Sequence, residues 1–140
     1  MKIVFAVDGS AYTRHMLGYV AAHPELVGGG HEFIAVHVTP EVPPHAARHL
    51  PKDVLNEYYA EEAEKVLHPV REFARMQGWT LRERHAVGHP GDKLADIVNE
   101  ERPELLLMGS HGHSAIAGAV LGSVSARVLS RTKVPALLIR

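Results

Sequence analysis

The chain has 140 residues, 46% hydrophobic and 22% charged, with a formal net charge of −1 and no cysteine. That length supports one hydrophobic core, read as a single domain over residues 1–140, and the composition is that of an ordinary globular protein. The near-zero charge leaves no electrostatic footprint for nucleic acid or an anionic membrane, and the missing cysteines exclude disulfides, thiolate catalysis and cysteine-based zinc sites.

A strand pattern begins at once, Lys2-Ile3-Val4-Phe5-Ala6-Val7, and leaves no room for a signal-peptide core before Asp8. No apolar run approaches the ~20 residues that span a bilayer, so no membrane is expected and the location is read as cytoplasmic. Ile3 to Val7 is β-branched and aromatic, the composition of a buried strand. Asp8-Gly9-Ser10 is a turn with a helix-starting serine, and a first helix is predicted to about Ala22. His23-Pro24 and Gly28-Gly29-Gly30 break it. Phe33 to Val38 is the second strand. Thr39 to Pro51 holds Pro40, Pro43, Pro44 and Pro51, which predicts an irregular, mobile or functional loop. A long second helix follows from about Lys52 to Met76, with Val54, Leu55, Tyr58, Tyr59, Ala63, Val66, Leu67, Val70 and Phe73 at helical period. Pro69 inside it predicts a kink or a break. Trp79 to Val87 is a more polar strand, suited to a sheet edge. Gly91 to Glu100 is a short helix, and Glu104 to Met108 a fourth strand. A glycine-punctuated loop leads into a last helix from Val124 to Arg131, and Val134 to Ile139 is the fifth strand.

Alternation of strand and helix is that of an open, doubly wound α/β sheet with helices on both faces. Within it, one phrase carries chemistry. Leu105-Leu106-Leu107-Met108 is an apolar run that stops at Gly109-Ser110-His111-Gly112, and nine residues later Gly122-Ser123 opens a helix. Glycines let backbone N–H groups face a ligand with no Cβ between them. A helix N-terminus adds unpaired donors and a favourable dipole, so the phrase describes a phosphate site. Gly109, Gly112, Gly122 and Ser123 are its candidates, with Met108, Ser110, Val124 and Ser125 beside them. Ser125 also reads as an ordinary first-turn serine. Asp8, an acid at a strand end, reads as a ribose ligand, the role an acid plays in dinucleotide folds, or as a turn and cap residue.

The spacing Gly-x2-Gly-x9-Gly-Ser, together with Lys2-Ile3-Val4-Phe5-Ala6-Val7-Asp8-Gly9-Ser10, resembles the nucleotide-binding branch of the universal stress protein family. The resemblance extends to Val134-Pro135-Ala136-Leu137-Leu138-Ile139 and so covers the chain. It implies a five-stranded parallel sheet of order 3-2-1-4-5. In that order the winding reverses between the first and fourth strands, which end at Asp8 and Gly109, and ligands of open α/β sheets bind at such a reversal. The resemblance further implies that Asp8 contacts the nucleotide, that Ala6 and Val7 form the wall, and that the Val38 backbone meets the adenine edge. The implied ligand is ATP, ADP or AMP, with Mg²⁺ carried by the phosphates. It also implies a homodimer through the C-terminal strand, Val134 to Ile139.

His111 and His113 flank Gly112, and many members of the family place arginine or lysine at the second of these positions. A charge that titrates then replaces a fixed one, and triphosphate affinity is expected to increase as pH falls through about 6.5, the ordinary histidine value. Eleven histidines invite a metal reading. His85, His89, His111 and His113 carry no His-Glu-x-x-His pattern, so no protein-ligated metal is assigned. The chain has no Gly-x4-Gly-Lys-[Ser/Thr], no Gly-x-Ser-x-Gly and no Gly-x-Gly-x-x-Gly after the first strand. No catalytic residue is therefore assigned. The sequence reads as an ATP-binding regulatory module of a stress response with an unknown protein partner. The alternatives are a slow ATPase or autophosphorylating enzyme, and a dimeric scaffold that binds no nucleotide.

Overall fold

The computed structural model describes residues 1–27, 30–113 and 117–140. Gly28 and Gly29, read above as helix breakers, lie outside them. Five strands, β1 (Lys2–Ala6), β2 (Glu32–Thr39), β3 (Thr80–Val87), β4 (Leu105–Gly109) and β5 (Ala136–Ile139), form one sheet. Its order is β3-β2-β1-β4-β5 and every pairing is parallel. Among the described residues the helices are α1 (Ala11–Ala22), α2 (Pro24–Val27), α3 (Pro44–Ala47), α4 (Lys52–Gln77), α5 (Pro90–Glu101) and α6 (Ser123–Arg131). None of them is long and apolar enough to cross a membrane.

The apolar runs of the central strands follow from burial on both faces. On one face Ile3, Phe5, Phe33, Ala35 and Leu107 pack with Met16, Leu17 and Val20 of α1 and with Ala63, Leu67 and Val70 of α4. On the other face Val4, Ile34, Val36, Leu106 and Met108 meet Leu94, Ile97 and Val98 of α5 and Val128 of α6. Phe5, Phe33 and Trp79 form a cluster on the first face, with ring centroids 4.9 to 5.7 Å apart. β3 is an edge, as its polar alternation requires, and it spends its arginines on ion pairs. Arg82 and Arg84 both reach Glu101, which also pairs with Lys2.

Three expectations need correction. The proline-rich stretch is not wholly irregular, since Pro44 to Ala47 forms a single helical turn. Pro44 sits at the first position of that turn, where proline's missing N–H costs nothing and its fixed φ suits a helix. α4 runs through Pro69 without the break that was one of the two outcomes expected there. Pro69 and Lys65 are both exposed, and a proline on the solvent face of a helix leaves its unbonded carbonyl open to water at low cost. Finally, the apolar period of α4 overstates its burial. Val54 and Tyr58 are exposed, and the helix buries residues only from Ala63 onward. Periodicity reports an apolar face and does not report whether a neighbour covers it.

Candidate functional site

β1 and β4 are adjacent, and the chain leaves them in opposite directions. α1 packs on one face of the sheet and α6 on the other. The gap this opens at the strands' C-terminal ends is a crevice of about 210 Å³. It has two ends of different chemistry. The apolar end is formed by Ala6, Val36, Val38, Pro40, Pro90, Leu94 and Met108. The polar end is formed by Asp8, Gly109, His111, Gly112, His113 and the first residues of α6, Ser123, Val124 and Ser125, with Gly122 before them. Val7 also lines the crevice.

Asp8 closes the turn through one carboxylate oxygen and keeps the other out of it. Its Oδ1 accepts the Ser10 N–H at 2.9 Å and the Thr13 hydroxyl at 2.9 Å, while its own N–H donates to Thr13 Oγ1 at 3.0 Å. These bonds close the β1–α1 turn. The second oxygen, Oδ2, is turned the other way and lies against Gly112. Burial pushes the carboxyl upward, but hydrogen bonds from Ser10 and Thr13 and the nearby His113 outweigh it, and the group stays below its ordinary value of 3.8. Asp8 is therefore an ionised acceptor at neutral pH.

The glycine loop is tied to its surroundings at several points. Ser110 N–H donates to the Ile139 carbonyl at 2.9 Å, and Gly122 N–H donates to the Ser110 carbonyl at 2.6 Å. Gly122 is thus held against the loop's own backbone. A Cβ there would sit 3.1 Å from His111 Cα and 3.2 Å from the Ser110 carbonyl oxygen, so that backbone would have to give by a few tenths of an ångström. Its N–H is already used, so Gly122 shapes the site rather than donating to a ligand. Ser110 is buried, with its hydroxyl 2.9 Å from His111 Nδ1, and it does not line the crevice. The Ser125 hydroxyl donates to the Gly109 carbonyl at 3.0 Å, which pins the first turn of α6 to the end of β4.

α6 has no side-chain cap at its N-terminus. The N–H groups of Ser123, Val124 and Ser125 open the helix and have no carbonyl one turn before them, so they supply donors and the positive end of the dipole. His111 Nε2–H donates to the Ala119 carbonyl at 2.7 Å, and His113 Nε2–H donates to the Asp8 carbonyl at 2.7 Å. The described residues lining the crevice include no lysine or arginine. Arg127, one turn into α6, is instead held by Asp92, which accepts its Nε–H at 2.7 Å.

β1 and β2 part at this same place. Val7 N–H still bonds the Val36 carbonyl at 3.0 Å. The Val7 carbonyl accepts His37 Nδ1–H at 2.8 Å. Alternation along β2 turns the N–H and C=O of Val38 to the same side as the Val36 carbonyl, past the end of β1 at Ala6. A donor and an acceptor are thereby presented at the apolar end of the crevice.

Thr13, Val36, His37, Pro40, Pro90 and Leu94 line the crevice and were not among the sequence-based candidates. Thr13 lies in the first turn of α1, just after Asp8, and Pro90 opens α5. Those two positions were available signals. Nothing local marks the others.

The whole chain, residues 1–140, matches the model of the universal stress protein family. A universal stress protein of Synechocystis sp. is 32% identical over 139 residues, covering 99% of this chain and 42% of that protein. The chain spans about half the length of the first curated relatives it matches. The solved structure of the Methanocaldococcus jannaschii protein MJ0577 superposes with a TM-score of 0.80 at 25% identity, covering 99% of this chain and 94% of that one. A universal stress protein from Archaeoglobus fulgidus, solved in complex with dAMP, shares the fold with a TM-score of 0.68 at 24% identity, covering 100% of this chain and 98% of that one.

Proposed function

The chain belongs to the universal stress protein family, and we propose that its crevice binds an adenine nucleotide and that the liganded protein acts as a regulatory module read by a partner. One observation carries this reading. An ionised acid, an uncapped helix start and an apolar wall with a free strand edge converge at the reversal of the sheet. Each part matches one part of a nucleotide. The base would lie along Val36, Leu94 and Met108 with its edge on the Val38 backbone. The ribose would meet Asp8 Oδ2. The phosphate would take the N–H groups of Gly112 and of the first turn of α6, together with the Ser123 hydroxyl. The Archaeoglobus fulgidus neighbour with dAMP supports the ligand class.

A crevice whose described lining has one carboxylate and no lysine or arginine binds a monophosphate, or a triphosphate whose charge Mg²⁺ has partly neutralised, better than free ATP. Among the described lining residues Asp8 is the one carboxylate that could reach such an ion or its water shell. No residue in the crevice is assigned a catalytic role, and turnover is restricted to weak hydrolysis.

The dimer belongs to the same proposal. β5 is the outer strand beside β4, and Leu137 and Leu138 are only partly covered. An uncovered apolar edge invites pairing with a second copy. The deciding experiment is calorimetric titration of AMP and ATP, with and without Mg²⁺, into nucleotide-stripped protein at pH 7. Saturable heat with one site per chain, abolished in a folded Gly122→Val variant, supports the proposal. Absence of heat and of any thermal shift refutes it, and turnover above about one per minute would make the protein an enzyme.

A further inference from the structure

His37 is not part of the glycine motif and is not needed to close the Asp8 turn. It lies on β2, 7% exposed, on the same sheet face as Phe33 and Ala35. A histidine so placed is usually a satisfied core residue, and half of this one is. Its Nδ1 faces the Val7 carbonyl at 2.8 Å and must carry the proton, because a carbonyl cannot donate. His85 lies parallel to it on β3, with ring centroids 6.1 Å apart and planes 9° apart, and it is itself held by Thr39 Oγ1 at 3.1 Å. The ring of His37 is therefore fixed in position and in tautomer.

Its other nitrogen is free. Nε2 has no partner among the described residues, and His37 lines the crevice. Burial holds its pKa below the ordinary histidine value, so at neutral pH the ring is uncharged and Nε2 is an acceptor only. A second acceptor, Asp8 Oδ2, lines the same crevice. Two acceptors reject a phosphate and offer nothing to an apolar base face. They suit a group with two hydroxyl donors.

We infer that His37 Nε2 and Asp8 Oδ2 together recognise the two ribose hydroxyls of the bound nucleotide, so that the site selects ribonucleotides over their deoxy counterparts. This rests on the adenine-nucleotide reading above and adds to it a specificity residue outside the motif. The mechanism is that of unpaired polar groups. A deoxy ligand leaves one buried acceptor desolvated with no partner.

The test is a titration of AMP, 2′-deoxy-AMP and 3′-deoxy-AMP into the wild-type protein and into His37→Phe, which retains a ring beside His85 and removes the acceptor. In the wild type each deoxy ligand is expected to bind roughly fivefold to tenfold more weakly than AMP. In His37→Phe the penalty for one of the two analogues falls to near unity while the other persists through Asp8. Equal binding of all three ligands by the wild type overturns the inference and leaves nucleotide binding standing. So does a penalty pattern that His37→Phe leaves unchanged. Failure of AMP itself to bind the wild type removes both. The wild-type comparison needs no variant, so it decides the selectivity even if His37→Phe folds poorly.

Discussion

The contact between Gly112 and Asp8 makes a sharp prediction for Gly112→Ala. Gly112 does not adopt a positive φ, so alanine brings no backbone strain. Its Cβ, however, would be built onto Asp8 Oδ2. Either the carboxylate or the loop must yield. Rotating Asp8 breaks the bonds from Ser10 N–H and Thr13 O–H, each 2.9 Å, at about 1.5–3 kcal/mol apiece for bonds to a charged group. The loop is partly exposed and moves at lower cost, so it is the loop that gives way. Stability is then expected to change by less than about 1 kcal/mol, a Tm shift of about 3 °C. The ligand fares worse, because the retreating loop takes the Gly112 N–H away from the phosphate and crowds the ribose acceptor. Losing one donor to a charged group is about 1.5–3 kcal/mol, or roughly tenfold to a hundredfold in affinity. Calorimetry with AMP reads the affinity and a thermal melt reads the fold. Wild-type affinity in a folded Gly112→Ala protein would show that the crevice is not the nucleotide site. A fall in Tm well beyond 3 °C would show that the loop is rigid and the reasoning about which side yields is wrong.

Other outcomes can be checked with the same material. Gly18 is exposed in α1 with nothing within 4 Å of a built Cβ, so Gly18→Ala should stabilise the fold by about 0.5–1 kcal/mol and leave AMP affinity unchanged; a loss of stability would mean that the helix face is not free. His113→Arg places a fixed cation beside the loop and should raise ATP affinity at pH 8 by roughly threefold to tenfold, more than AMP affinity; equal effects on both would refute a role at the outer phosphates. Acid should unfold the protein in two stages. Burial lowers the folded pKa of His37 and His85 below 6.5, so their contribution is complete above 6.5 and is lost as pH falls through the lowered values. Glu101, pulled from 4.5 to about 2 by the Arg82 guanidinium and then by Arg84 and Lys2, contributes fully above 4.5 and loses that contribution as pH falls toward 2. Discounting for its exposed partners leaves about 1–2 kcal/mol, and Glu101→Gln should remove the second stage from melts taken across this range. Light scattering at micromolar concentration should return twice the chain mass of 15.3 kDa; a single chain mass would refute pairing through β5.

Much of the molecule was legible in local pattern. Runs such as Ile3 to Val7 and Leu105 to Met108 announce buried parallel strands because both faces of the sheet are covered, and those residues do fill the two cores. Gly109, Gly112 and Gly122 stand where loops must approach closely, and Asp8 stands where a strand ends. Such signals are local, since helix and strand periods relate residues two to four positions apart. The lining of the crevice obeys a different logic. His37 and Val7 are brought together by the register of β1 on β2, which pairs Ala6 with Val36. Ser110 is turned inward because Ile139, at the far end of the chain, takes its N–H. Gly122 gives up its donor to the carbonyl of Ser110 across the loop. Val54 and Tyr58 keep a helical period yet stay exposed, with none of the described residues covering them. Sequence alone therefore determined which segments become strands and helices and where the backbone must pass closely. Tertiary structure alone decided which donors and acceptors remain unspent at the crevice, because a hydrogen-bonding group is free or used according to a partner that strand register and chain crossing bring to it from elsewhere in the chain.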